Sequence, residues 1–182
     1  MMICEQQKPF LFLVLRLVPL VLFSVTGPKL HAQDEVNYSV HANIIYHFTK
    51  YVDWPPSKKS GEFVIGIVGE TPLFNELKRS VAGKKAGDQT IVIKKVSGPG
   101  SLDCQIVFVS EDAAAGLKKI TGATAGDPVL IVKETKGAAQ KGSCINFIII
   151  NDKLKLEINK RTIEQRELKI ASELLQLGIQ VK

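Results

Sequence analysis

Past residue 32 the chain has two histidines, His41 and His47, and two cysteines, Cys104 and Cys144. The histidines are six apart on a helical pattern, which places them roughly 120° away from a shared face, so they are poor co-ligands. Neither belongs to a His-Glu-x-x-His motif, and no cysteine or carboxylate cluster has metal-ligand spacing, so no metal site is expected. Ser143-Cys144 puts a hydroxyl beside a thiol, but at the mouth of an apolar run with no base placed by sequence. A core thiol or half of a disulfide is the better reading there than a nucleophile. The segment Gly66 to Pro72, GIVGETP, follows a strand pattern and opens a helix, a place that favours anions. It lacks the second close glycine of a dinucleotide turn and the Gly-Lys-Ser/Thr of a P-loop, and Glu70 would repel a phosphate. No catalytic residue and no cofactor is expected, and tight strand-to-helix packing accounts for the glycines.

What remains is recognition by shape. Trp54 stands before Pro55 and Pro56, which block helical dihedrals at the Trp and fix a large aromatic at a corner. Aromatics of low rotamer entropy anchor interfaces, so Trp54 and Pro55, with Phe48 and Tyr51 on neighbouring faces, form the candidate partner-binding set. The alternative is that the Trp covers the core. His47 is expected to pack beside Tyr51.

These side chains need elements to hold them. Val40 to Pro56 reads VHANIIYHFTKYVDWPP, and with Val36 just ahead of it apolar residues recur as Val36, Val40, Ile44, Phe48 and Val52, widened by Ile45 and Tyr51, the stripe of a core-facing helix that stops on Trp-Pro-Pro. Glu62 to Val68 reads as a buried strand, followed by a helix from Pro72 to about Ser80 with Thr71 as its cap. Gln89 to Val96 and Cys104 to Ser110 read as two further strands, a short helix follows over Glu111 to Thr121, and Val129 to Val132 is a fourth strand. Ser143 to Ile150 and Leu154 to Asn159 are joined too tightly for a helix and make a hairpin, whose second strand alternates like a half-exposed edge. Asn159 and Ser172 are placed to cap two short terminal helices, with Leu174, Leu175 and Leu177 packing inward. Gly83 to Asp88 and Lys136 to Gly142 read as loops. The expected fold is α/β: one domain with a mixed, mainly parallel sheet flanked by helices on both faces, an N-terminal amphipathic helix and a C-terminal β-hairpin.

Phe10 to Val25 is an apolar run broken by Arg16, Pro19 and Ser24 and preceded by Lys8, too interrupted for a membrane span and suited to a secretory signal. Cleavage after Ala32 leaves residues 33–182 as one exported, soluble domain. The whole chain has 24 Lys+Arg against 18 Asp+Glu, and the part after residue 32 keeps 21 against 17. Its lysine pairs are scattered, with no basic helix and no aromatic interleaving, so nucleic acid is not expected as a partner. Cys104 and Cys144 each open an apolar run, and an oxidising compartment permits them to pair. They are bridged if the two strand starts lie near each other and are two buried thiols if not.

The pieces IIYHFTKYVDWP, FVIGIVGETPLFNEL, CQIVFVS, VLIVKE, INFIII, LKLEIN and ASELLQLG, in this order and spacing over nearly the whole exported part, resemble the YfiR-type periplasmic domain family. The helix ending in Asp53-Trp54-Pro55 together with Cys104 opening a strand is the most specific element. The resemblance implies a non-enzymatic periplasmic domain that binds an inner-membrane diguanylate cyclase and holds it inactive, a control on cyclic di-GMP. A sensor kinase is the other kind of target. It further implies release by redox or envelope stress, capture by an outer-membrane lipoprotein, and a homodimer. Gln105 departs from the family, where His is usual, and the extra cysteines that give some members two bridges are absent. A single bridge, Cys104 to Cys144, is the most this chain can form. The reading from another class is a soluble periplasmic module that senses a small envelope metabolite near the carboxyl ends of the sheet.

Overall fold

A computed structural model describes residues 36–97 and 102–181, all within one compact unit, Val36–Lys182. The expected leader and its cleavage point lie outside the described residues. The chain runs α1 (Tyr38–Tyr51), β1 (Val52–Asp53), β2 (Phe63–Val68), α2 (Leu73–Ser80), β3 (Lys85–Ala86), β4 (Gln89–Lys95), β5 (Ile106–Val109), α3 (Leu117–Ala123), β6 (Leu130–Lys133), β7 (Ile145–Ile150), β8 (Lys153–Ile158), α4 (Lys160–Glu164), β9 (Lys169–Ile170), α5 (Ser172–Leu177) and β10 (Ile179–Gln180).

Eight strands form the main sheet in the order β10-β8-β7-β6-β5-β2-β4-β3. Among the described residues only β7 with β8 and β3 with β4 pair antiparallel in this sheet, so it is mixed and mainly parallel. From β2 the chain steps outward to β4, then returns to the other side of β2 with β5 and moves away to β6. Right-handed crossovers make that reversal place α2 and α3 on opposite faces. α1 packs on α2, where Ser80 Oγ donates to Asn43 Oδ1 at 3.0 Å. Central strands read as continuous apolar runs because both faces are covered: every residue of β5 and β6 is buried.

The Val36-Val40-Ile44 stripe is corrected by the structure. Val36 lies before α1, which Asn37 caps; within the helix, steps of four advance 400°, so the stripe drifts 40° per step and Val40 has turned off the core face. Both valines are 39% exposed. The face that meets the sheet is His41, Ala42, Ile45 and Phe48. α1 also ends earlier than the Trp-Pro-Pro, at Tyr51, because Val52 and Asp53 pair antiparallel with Ile170 and Lys169. The hairpin turns through Asn151 and Asp152, both at positive φ (50° and 57°), the two-residue geometry that matches strand twist. β8 is not an edge: β10 runs parallel beside it. Asn159 caps α4 through Thr162 N at 3.0 Å, whereas α5 has no side-chain cap. Lys85 and Ala86, read as loop, add a short strand to β4.

Candidate functional site

Of the candidate partner-binding residues, Phe48 and Trp54 are corrected to core positions. Phe48 is buried under α1, and Trp54 is 5% exposed. The Trp ring meets Phe63 edge-on with centroids 5.0 Å apart, and its Nε1 donates to Gln105 O at 3.2 Å. An amphipathic ring with its one donor satisfied inside has no reason to face solvent. Tyr51 and Pro55 remain partly exposed.

Gln105, the residue that departs from the resemblance, holds this corner. It is buried; its Oε1 accepts from Val64 N at 2.8 Å, and its Nε2 donates to Lys58 O at 3.0 Å and Glu62 O at 3.2 Å. The amide thus fastens the turn after Pro56 to the start of β2. Beside it, Lys58 Nζ reaches Asp103 Oδ1 at 2.6 Å and holds that carboxyl below its ordinary range.

Cys104 and Cys144 are free and buried. Cys104 lies two residues before β5 and Cys144 one before β7, and β6 runs between those strands. Two strand spacings of roughly 4.8 Å separate them, beyond the Cα distance a disulfide spans. Of the two readings, buried thiols is the one found. Burial pushes both thiols up to about 11, so neither is a nucleophile near neutral pH. Cys104 Sγ sits where a side chain on Gly66 would have to go, which explains that glycine by packing.

Tyr51 belongs to a surface groove of about 360 Å³ between α1, β8 and α5, lined by Ile44, His47, Tyr51, Leu156, Leu174 and Leu177 among others. His47 packs beside Tyr51, with ring centroids 6.3 Å apart. Leu174 is buried, but Leu177, expected in the core, is 71% exposed: α5 is a helix of six residues, too short to turn all three leucines inward. Exposed Leu177 gives the groove an apolar rim. Its lining joins α1 to β8 and α5, about a hundred residues further on; each element was readable as a pattern, but their meeting was not.

The carboxyl ends of the parallel strands hold a second, polar region. β2 and β5 diverge in connection here, the switch point at which open α/β sheets bind ligands. Gly69, at φ +88°, ends β2 against Ser110 and Asp112, leaving no room for a side chain. Ser110 Oγ donates to Val68 O at 2.9 Å and pairs with Asp112, whose carboxyl that bond holds below its ordinary value; Asp112 Oδ2 accepts from Glu70 N at 3.1 Å. Lys133 is 2% exposed, with Nζ donating to Ser110 O at 3.0 Å, and burial lowers its pKa. On α1, His41 Nδ1 lies 3.0 Å from Asn37 O and its ring 4.3 Å from that of Phe147; burial lowers its pKa. His41 and His47 do not converge: the first is buried, the second exposed on the groove.

Among the described residues no group of three or more His, Cys, Asp or Glu is placed to hold a metal ion, and no helix is long and apolar enough to cross a membrane.

The model of the YfiR/HmsC-like family matches residues 38–179. Solved structures of similar fold include a conserved domain protein from Vibrio cholerae O1 biovar El Tor, at 14% identity and a TM-score of 0.56. Another is the ABC domain in complex with L-Trp from Streptococcus pneumonia, at 12% identity and a TM-score of 0.54. Each match covers 80% of this chain and 60% of the solved one, so the chain spans less than two thirds of their length, and at these identities the likeness is one of fold. The comparison with curated proteins gives no significant match.

Proposed function

The chain belongs to the YfiR/HmsC-like family, and from that premise we propose that it is an exported periplasmic regulator that modulates an inner-membrane signalling enzyme by binding it. Residues 1–32 serve as the cleaved leader in this reading and residues 33–182 as the acting domain, without catalysis and without a cofactor. The target is the periplasmic part of a diguanylate cyclase or a sensor kinase; an outer-membrane lipoprotein is the competing partner, and the domain acts as a homodimer.

The observation that carries this reading is the apolar groove around Tyr51. An exposed Leu177 beside Ile44, His47 and Tyr51 on a compact domain is the kind of contiguous apolar surface that marks protein contact. Tyr51 and Pro55 make the contact, and Phe48 and Trp54 hold them in place from beneath. Regulation needs no chemistry: tighter binding to one conformation of the target shifts its population, and a differential of roughly 5 kcal/mol takes a two-state enzyme from nearly all on to nearly all off. The test is intracellular cyclic di-GMP in the host with and without periplasmic expression of the chain. A fall that Leu177→Asp abolishes supports the reading. An unchanged level, together with unchanged sensor-kinase output, removes it.

A further inference from the structure

Near the carboxyl end of β6, a hollow of about 150 Å³ is lined by Tyr38, His41, Glu111, Glu134, Lys136 and Phe147, with exposed Val36 and Ile149 also against it. The two oxygens of Glu134 are served unequally. Oε1 accepts from Glu111 N at 3.2 Å and faces the Tyr38 hydroxyl at 3.5 Å, while Oε2 is buried with no hydrogen-bond partner among the described residues. The neighbouring Lys133 does not serve it, being turned to Ser110 O. Among the described residues no ion pair reaches Glu134.

A buried carboxylate oxygen without a donor is costly, because the water that solvated it in the unfolded chain is gone and nothing replaces it. Glu111 adds a second negative charge nearby, and burial first, then that charge, raises the Glu134 pKa. Lys136 lines the hollow, but among the described residues neither it nor any other cation is paired with Glu134, so the carboxylate is left without a cationic donor. The other walls of the hollow suit the organic part of such a cation: Tyr38 and Phe147 are aromatic, the latter 2% exposed with the His41 ring 4.3 Å away, and Val36, Ile148 and Ile149 are apolar. A hard metal ion is poorly matched, since it requires six or so oxygen ligands and the lining contains two carboxylates.

We propose that this hollow binds a small organic ammonium ion, its N–H groups donating to Glu134 and its alkyl chain lying against Phe147, Val36 and Ile149. The site goes beyond the regulatory reading and does not depend on it. It shares only Leu154 with the groove around Tyr51, and binding is read on the isolated chain, so either can fail alone.

The test uses ¹⁵N-labelled protein expressed from the full chain and isolated, titrated at constant ionic strength with n-butylamine hydrochloride and, separately, with 1-butanol. The expected result is saturable movement of the Glu111 and Glu134 amide resonances by the amine and not by the alcohol. Glu134→Gln weakens the amine at least tenfold; Lys136→Met, which removes a competing positive charge from the wall, leaves it equal or tighter. No saturable movement with the amine overturns the proposal, as does equal affinity in Glu134→Gln. Equal binding of the alcohol would make it an apolar cleft only, and saturation of the same resonances by calcium or magnesium at lower concentration would make it a metal site; each also overturns the proposal.

Discussion

Replacing Gln105 with Ala removes the amide that joins the turn after Pro56 to β2. Three bonds are lost, but unequally. Gln89 Nε2 also lies within reach of Lys58 O at 3.2 Å, Glu62 O at 3.4 Å and Ser60 O at 3.1 Å, and with two N–H groups for three carbonyls it offsets that part of the loss incompletely. Val64 N, in contrast, has the Gln105 Oε1 as its partner at 2.8 Å, on a residue that is itself buried. Leaving that N–H unsatisfied costs about 1–3 kcal/mol, and truncating a fully packed side chain adds about 1 kcal/mol of lost contacts. The expected loss is about 3 kcal/mol, which lowers the urea midpoint by about 1–2 M for a domain of this size. Trp54 is the only tryptophan and donates to Gln105 O, so its fluorescence reports the same corner during unfolding. Gln105→Glu is the stricter variant: it removes the Nε2 donor and points a carboxylate at two carbonyl oxygens. Burial raises that new carboxyl above its unfolded pKa, so the variant is most stable below about pH 4 and loses stability as pH rises through the raised value. A loss under about 0.5 kcal/mol in Gln105→Ala, or a Gln105→Glu midpoint indifferent to pH, would refute this account of the corner.

Gly69→Ala should destabilise by about 2 kcal/mol or more in chemical denaturation, since it adds strain at positive φ to a clash with Ser110 and Asp112; a neutral result would mean β2 ends differently. Glu134→Gln should raise stability at pH 7 by about 1 kcal/mol, with the gain shrinking on acidification: the folded pKa of Glu134 is raised, so its penalty appears as pH climbs through that value. His41 works the other way. Its folded pKa is lowered, so its neutral form is stable above the unfolded value of about 6.5 and stability falls as pH drops below it; His41→Leu should flatten the melting temperature between pH 7 and pH 5, and an unchanged slope would contradict its burial. Cys104 and Cys144 should both resist a thiol reagent in native buffer at pH 8 and react on unfolding, because burial holds their thiols near 11; fast native labelling would contradict this.

The sheet was legible because its central strands are short runs rich in branched and aromatic residues, FVIGIV and IVFV, a composition suited to burial on both faces. The hairpin was legible from a joint too short for anything else. The pairing of β1 with β9 and the addition of β10 to β8 were not, because two residues carry no periodicity and the bonds join segments over a hundred or some twenty positions apart. Trp54 illustrates a different limit: a local pattern puts it at a corner, but which way the corner faces is decided by Gln105 and Phe63, which sequence spacing does not bring near. Glu134 gave no signal at all. In VKETK it looks like one solvated charge among several, and its burial comes from Tyr38 and the loop at Glu111 closing over it.

The central claim, that the surface around Tyr51 binds a membrane signalling protein, is tested most directly by site-specific photocrosslinking in the native envelope. A photoreactive residue at Tyr51, and as a control at exposed Gly87 beyond β3, is expressed in the full chain in its own host and the adducts are identified by mass spectrometry. The account predicts an inner-membrane protein with a cytoplasmic cyclase or kinase domain joined to position 51, absent at position 87 and lost with Leu177→Asp. Adducts at position 51 with no membrane protein among them, or the same adducts from both positions, would contradict it.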